Sequence, residues 1–137
     1  MPELKVPANV EYLDSVLEFI CKTIITVGSD GKFNNNIYIA VEEIFVNISN
    51  YAYPSEEGNV TVSVNIKENN IIIEFTDSGT PYNPLERTDP DTTLSADERS
   101  IGGLGIFMVK KLMDNMSYKY ENNSNILTIS KQWSGNV

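Results

Sequence analysis

Three side chains that could perform chemistry fall on one line of a predicted helix. Glu43, Asn47 and Asn50 are spaced so that on a helix they lie above one another on one face. Most of the remaining circumference of this stretch is apolar, which is typical of a buried helix. Buried carboxylate and amide groups need partners, because an unpaired buried polar group costs free energy. A wet pocket, a metal or a polar ligand over the line would supply them. The alternative is that the line faces water, and the helix alone fits both interpretations equally.

Two glycine-containing turns could bring the backbone close to a ligand. Asp77-Ser78-Gly79 ends a predicted buried strand, where these residue types usually form only a turn. A carboxylate there could also accept a hydrogen bond from an adenine amino group, with Gly79 leaving space for the base. The glycine-rich residues 102–105 directly precede a predicted helix, whose free N–H groups and dipole favour a phosphate. A plain glycine-rich turn explains the second cluster as well, and neither the GxxxxGK[ST] nor the strand-following GxGxxG pattern is present.

The absence of histidine restricts the chemistry of this 137-residue chain. It excludes Ser-His-Asp and Cys-His catalysis, histidine metal ligands and phosphohistidine. Any general base must therefore be Asp, Glu, Lys or Tyr. The single cysteine, Cys21, excludes an internal disulfide and a cysteine-based zinc site. The apolar neighbours of Cys21 predict a buried small hydrophobe.

Composition and charge narrow the expected partners. With 10 basic and 19 acidic residues the net charge is -9, which disfavours direct contact with nucleic acid and favours a basic protein partner. No apolar run approaches the length of a membrane span, and the N-terminus lacks a signal-peptide pattern. We therefore expect no membrane association and a cytoplasmic location.

Apolar periodicity predicts three helices, four strands and a short first strand. In chain order these are strand 4–6, helices 10–27 and 36–53, strands 59–67 and 71–76, helix 106–115, and hairpin strands 117–121 and 126–132. Asn9 caps the first helix, whose core stripe begins at Val10. Residues 29–32 are a loop, and residues 80–100 form a long polar loop of the kind that is usually functional or mobile. This order predicts a single α/β (α+β) two-layer sandwich across residues 1–137, with helices on one face of a mixed, mostly antiparallel sheet.

The order of the motifs resembles the GHKL (Bergerat-fold) ATPase superfamily, which includes gyrase-type ATPases and histidine-kinase catalytic domains. Residues 43–47 resemble its N box, residues 77–81 its first glycine box and residues 103–105 its second. The resemblance spans nearly the whole chain. It is greatest to the small anti-sigma-factor serine kinases, and the segments that carry it are residues 4–9, 40–53 and 99–106.

The resemblance implies a role for each matching residue. Glu43 would be the general base, Asn47 would hold Mg²⁺ through its amide oxygen, and Asp77 would read the adenine of ATP. The other nucleotide-binding residues would be Asn50, Gly79, Pro81, Arg99, Gly102, Gly103, Leu104 and Gly105. The ATP lid would span about residues 80–101. One departure concerns the Gly-Thr that many family members carry before the last strand, where the Thr supports the adenine-binding Asp, because this chain has Ser124-Asn125.

The function that the resemblance implies is an ATP- and Mg²⁺-dependent protein serine/threonine kinase. Such a protein would act as an anti-sigma factor, would bind a sigma factor and phosphorylate a small antagonist protein, and would form a homodimer. Two alternatives stay open: an ATP-binding module that transfers no phosphate, and a slow ATPase in which Glu43 activates water. The presence of both Glu43 and Asn47 favours the kinase. A detached histidine-kinase catalytic domain is disfavoured, because nothing in the chain resembles phospho-acceptor helices.

Overall fold

The computed structural model describes residues 2–27, 31–53, 57–86 and 103–133. Its main elements are β1 (Glu3–Pro7), α1 (Leu13–Ile24), α2 (Gly31–Tyr51), β2 (Asn59–Lys67), β3 (Asn70–Asp77), α3 (Gly103–Leu112), β4 (Asn115–Glu121) and β5 (Ser124–Gln132). Short 3-10 turns flank α1 at Val10–Tyr12 and Ile25–Val27, and a third lies at Pro84–Glu86. Among the described residues, no helix is both long enough and apolar enough to cross a membrane.

The five strands form one sheet in the order β1-β2-β3-β5-β4, and each neighbouring pair is antiparallel. The prediction of a mostly antiparallel sheet is confirmed, whereas the parallel pair that a mixed sheet requires does not occur among the described strands. Two-residue turns explain two of the pairings. Glu68 and Asn69 have φ values of 50° and 64°, and Asn122 and Asn123 have φ values of 55° and 62°. Turns with two positive φ values match the twist of paired strands, and asparagine tolerates this conformation better than most residues.

Helices and sheet bury a common core. The inner face of the sheet contributes Val60, Val62, Val64, Ile71, Ile73, Phe75, Leu127 and Ile129. The helices contribute Val16, Ile20 and Ile24 from α1, Ile37, Val41, Ile44, Phe45 and Ile48 from α2, and Ile106 and Val109 from α3. Alternate residues of β3 and β5 are buried on this side and half-exposed on the other. The burial predicted for α2 and for β3 is confirmed, and β3 is the central strand of the sheet.

The first helix differs from its prediction in two ways. Asn9 caps the Val10–Tyr12 turn through a hydrogen bond from the Glu11 N–H, as expected, but Val10 itself is 50% exposed. Cys21 is also exposed, so the prediction of a buried hydrophobe was wrong. The reason is that α1 buries a narrow stripe at every fourth residue. A residue next to that stripe in sequence is turned about 100° away from it.

Two helix boundaries were also predicted wrongly. Helix α2 begins at Gly31, inside the predicted loop, although its first turns are rich in glycine and asparagine. Phe33 explains the extension, because it is buried and its ring meets that of Trp133 edge-on at 6.2 Å. Helix α3 spans Gly103–Leu112, beginning three residues before the predicted start. It ends early because Asn115 already pairs with Ser130 in the sheet.

Candidate functional site

A small cavity lies between the C-terminal half of α2, the end of β3 and the start of β5. Its wall consists of Asn47, Ile48, Tyr51, Ala52, Phe75, Asp77, Thr80, Tyr82, Pro84, Tyr118, Asn125 and Leu127. It has about 30 Å³ of free volume, which is room for about two water molecules.

Strand register places two polar side chains opposite each other in this wall. Asp77 ends β3 and pairs directly with Asn125 of β5, so both side chains point to the same face. Both are buried, at 5% and 6% exposure. The Asn125 side-chain amide donates to Asp77 Oδ1 at 2.9 Å, and the Gly79 N–H donates to the same oxygen at 2.9 Å. Among the described residues, Oδ2 of Asp77 is therefore the oxygen left to accept a hydrogen bond from a ligand.

The electrostatic environment of Asp77 favours a further donor. Burial raises the pKa of Asp77, and the hydrogen bonds from Asn125 and Gly79 lower it, with a net shift upward. The loss of hydration therefore outweighs the two donors that the protein supplies. An N–H group placed at Oδ2 would stabilise the carboxylate, since hydrogen bonds to ionised groups are stronger than neutral ones.

Asn125 fills the place where the resemblance leads one to expect a threonine. Besides Asp77, its amide nitrogen donates to the Thr80 carbonyl at 3.0 Å. Its oxygen accepts hydrogen bonds from the Tyr82 N–H at 3.0 Å and from the Tyr118 hydroxyl. Asn125 therefore supports Asp77, although the family's threonine is missing at this place. The contacts of Asn125 with Tyr82 and Tyr118 could not be predicted from the sequence, in which the only indication was the position of Asn125 at the start of the last strand.

Asn47 is a buried amide without a complete set of partners. It is 6% exposed, and its Nδ2 donates no hydrogen bond to any described residue. Buried polar groups are nearly always satisfied, so an amide without a protein partner fits contact with a ligand or water. Rotation of the amide by half a turn exchanges its nitrogen and oxygen, and either atom can face that position. An oxygen there suits a hard cation such as Mg²⁺.

The described residues supply little else for a metal. They contain no group of three or more acidic or cysteine side chains close enough to hold one. A cation at Asn47 would therefore need most of its ligands from phosphate oxygens and water, which is the usual way in which Mg²⁺ is bound with a nucleotide. The amide, the neighbouring carboxylate of Glu43 and the start of α3 fit that arrangement.

Glu43 lies one turn before Asn47 on α2 and faces the first turn of α3. A β-carbon built on Gly105 would overlap Oε2 of Glu43, so the missing side chain of Gly105 is what leaves room for the carboxylate. The first N–H groups of a helix have no partner within the helix and attract negative charge. Burial raises the pKa of Glu43, and the charge of neighbouring Glu42 raises it further. The glycine cluster and the polar line of α2 are thus brought together.

Gly79 is required by packing that the sequence did not reveal. A β-carbon at Gly79 would overlap the carbonyl oxygen of Ala52, at the C-terminal end of α2. The same carbonyl accepts a hydrogen bond from the Thr80 N–H at 2.7 Å. The turn after β3 is therefore pressed against the end of α2. The suggestion that Gly79 leaves space for a base stays a prediction, because the backbone contact already explains the glycine.

The other sequence-predicted site residues fall into three groups. Asn50 and Pro81 are exposed and do not line the cavity. Gly103 and Leu104 lie in the first turn of α3. Arg99 and Gly102 lie outside the described residues, as does the predicted lid after Glu86.

A family model described as "Histidine kinase-like ATPase domain" matches residues 6–131. The chain belongs to this family. The relatives of this histidine kinase-like ATPase domain include proteins named serine-protein kinase RsbW. The one from Listeria monocytogenes serovar 1/2a is 28% identical over 86% of this chain and 78% of its own length. The one from Oceanobacillus iheyensis is 28% identical over 83% and 75% of the two chains, and the one from Bacillus thuringiensis is 25% identical over 91% and 81%.

Solved structures of other proteins share the fold. The RsbU and RsbW domains of a Mycobacterium tuberculosis protein match with a TM-score of 0.67 at 14% identity. That match covers 97% of this chain and 33% of the two-domain chain. The catalytic domain of histidine kinase ThkA matches with a TM-score of 0.56 at 12% identity, over 97% of this chain and 98% of that domain. At these identities the likeness shows the α+β fold of the family and nothing about substrates.

Proposed function

We propose that this chain is an anti-sigma regulatory factor that acts as an ATP- and Mg²⁺-dependent protein serine kinase. It would bind a sigma factor and phosphorylate a small antagonist protein. The observation that carries the proposal is the position of the Glu43 carboxylate against the first turn of α3, one helical turn from the incompletely bonded amide of Asn47. The serine-protein kinase names of the relatives support the same activity.

In the proposed complex each end of the nucleotide meets a different part of the site. The adenine amino group donates to Oδ2 of Asp77, and the triphosphate meets the N-terminal turn of α3. Asn47 lies between these two ends and is the ligand that the protein gives to Mg²⁺. When bound, Mg²⁺ neutralises the charge that develops on the transferred phosphoryl group.

Glu43 acts on the proton of the incoming nucleophile. Its carboxylate accepts the proton of a substrate serine hydroxyl while the serine oxygen bonds to the γ-phosphorus and ADP leaves. A raised pKa suits this role, because a base is most effective when its pKa approaches the working pH. If water replaced the serine, the same carboxylate would give a slow ATPase, which is the second candidate function.

The test is transfer of labelled phosphate from ATP to a candidate antagonist protein, followed by location of the modified residue. Glu43→Gln keeps the shape of the side chain and removes its basicity, so it should bind Mg²⁺–ATP nearly normally. Its transfer rate should fall by about 10²–10⁴-fold. Asn47→Ala should lose both Mg²⁺–ATP binding and transfer. Glu68→Gln, in the exposed turn at the opposite end of β3 from Asp77, is the matched control and should behave as the wild type.

Each alternative outcome has a separate meaning. If the wild-type protein binds ATP but neither labels an antagonist nor releases phosphate, it is a binding module. If it releases free phosphate from ATP without labelling an antagonist, it is an ATPase. If Glu43→Gln transfers phosphate at the wild-type rate, Glu43 is not the base. Co-purification with a sigma factor and sedimentation of the free protein test the proposed partner and the proposed homodimer.

A further inference from the structure

Asn125 makes more contacts than the support of one carboxylate needs. Its nitrogen donates to Asp77 Oδ1 and to the Thr80 carbonyl, and its oxygen accepts from the Tyr82 N–H and the Tyr118 hydroxyl. A side-chain amide has two donor hydrogens and two acceptor lone pairs, and all four are used here. The orientation of the amide is therefore fixed, because a flipped amide would turn its oxygen towards a carboxylate and its nitrogen towards an N–H group.

The segment that Asn125 holds forms part of the cavity wall. Thr80 is anchored to the end of α2 through the Ala52 carbonyl, and Tyr82 is anchored to β5 through Asn125. The ring of Tyr82 also packs on the ring of Tyr51, with 5.7 Å between their centroids. A shift of this segment therefore moves Tyr82 at the cavity and pulls on the side chain that orients Asp77.

We propose that Asn125 is a positioning residue that latches the start of the predicted lid, Thr80 to Tyr82, to the carboxylate that reads the base. This inference rests on the proposed nucleotide site. The donor end of the Asn125 amide meets the carboxylate of Asp77 and its acceptor end meets the main-chain N–H of Tyr82, so one side chain joins the two. Through this latch, base contact at Asp77 and the position of the lid segment change together. A threonine hydroxyl has one donor hydrogen where the asparagine amide has two, so a hydroxyl that donates to Asp77 cannot also donate to the Thr80 carbonyl. Its oxygen is also one bond closer to the main chain than Oδ1 of Asn125, which accepts from the Tyr82 N–H.

Two variants separate the latch from the support of Asp77. Asn125→Thr keeps a donor for Asp77 and releases the segment, whereas Asn125→Leu has a similar volume and removes both. Thr128→Ser, on the half-exposed face of the same strand, is the control. The measurements are amide hydrogen exchange at Gly79 and Tyr82 and the affinity for ATP by calorimetry, all on the full chain.

In Asn125→Thr the Tyr82 amide should exchange about 2- to 13-fold faster than in the wild type, which is the loss of one ordinary hydrogen bond. The Gly79 amide should exchange as in the wild type, because Asp77 keeps a donor, whereas ATP should no longer increase the protection of Tyr82. In Asn125→Leu the ATP affinity should also fall, by about 5- to 160-fold. Unchanged exchange at Tyr82 in Asn125→Thr, or equal acceleration at Gly79 and Tyr82, would overturn the latch.

A wild-type measurement keeps the inference testable if the variants do not fold. The side-chain amide protons of Asn125 should exchange far more slowly than those of exposed Asn50, and equal exchange would refute the latch. Failure of the nucleotide proposal has a different signature. The wild type would then show no ATP binding. In nucleotide-free Asn125→Thr, the Tyr82 amide would still exchange faster than in the wild type and the Gly79 amide would not.

Discussion

Replacing Asp77 with asparagine should separate recognition of the base from support of the fold. The carbonyl oxygen of the new amide can take the place of Oδ1 and keep the hydrogen bonds from Gly79 and Asn125. The NH₂ group then takes the place of Oδ2, so the atom that faces the ligand changes from an acceptor to a donor. Such a buried mismatch costs about 1–3 kcal/mol, which corresponds to about 5- to 160-fold weaker ATP binding.

The same substitution should leave the nucleotide-free protein equally stable or more stable at neutral pH. The raised pKa of Asp77 means that the folded state holds the proton more tightly than the unfolded state. The ionised carboxylate therefore lowers stability as pH rises from its ordinary pKa to the raised value, and this loss persists above that range. Asparagine removes this contribution, so the advantage of Asp77→Asn should shrink as the solution is acidified below the ordinary pKa of the carboxyl.

Calorimetric titration with ATP and GTP, together with thermal unfolding across pH, measures both effects. The amide N–H can donate to the carbonyl oxygen of guanine, so the preference for ATP over GTP should narrow. Asp14→Asn, at an exposed position of α1, is the matched control and should change neither affinity. If Asp77→Asn binds ATP as tightly as the wild type, Oδ2 of Asp77 does not read the base. Weak binding with a collapsed unfolding temperature would contradict the argument that Oδ1 alone supports the fold.

Three further predictions follow from the contacts of Glu43 and the two packed glycines. Because the pKa of Glu43 is raised by burial and by Glu42, the transfer rate should fall on acidification at a higher pH than an ordinary glutamate gives. Glu42→Gln should move that fall to lower pH, and an unmoved pH profile would contradict the assignment. Gly105→Ala places a methyl group on the Glu43 carboxylate, so phosphate transfer should decrease more than ATP affinity, as kinase assays and calorimetry can compare. Gly79→Ala forces a clash with the Ala52 carbonyl and should destabilise the nucleotide-free protein by about 1–3 kcal/mol in thermal unfolding, whereas equal stability would refute the packing argument.

Features that depend on neighbouring residues were predicted well from the sequence. The apolar circumference of α2 and the closing hairpin of β4 and β5 each follow from the local period of side chains or from local φ preferences. The placement of Glu43 and Asn47 on one line of α2 is of the same kind, because helical spacing alone sets it. The resemblance to the GHKL superfamily, which is carried by motifs in order along the chain, also needs no tertiary information, and the family match confirms it.

Features that join distant parts of the chain were decided by the tertiary structure. Helix α2 starts early because Phe33 finds a partner in Trp133, and Cys21 is exposed because α1 presents only a narrow stripe to the core. Gly79 owes its identity to a backbone carbonyl far away in sequence. Local sequence preferences do not predict such contacts, because the contacts form only after distant elements have packed.

The site itself divides in the same way. The sequence by itself determined which groups are available: a carboxylate and an amide one turn apart on α2, an aspartate at a strand end and a glycine-rich helix start. Only the fold decided which groups meet, because the pairing of β3 with β5 sets Asp77 opposite Asn125 and the packing of α3 on α2 sets Gly105 against Glu43. A one-residue change of strand register would turn Asn125 to the other face of the sheet, so this contact depends on long-range pairing that no local pattern encodes.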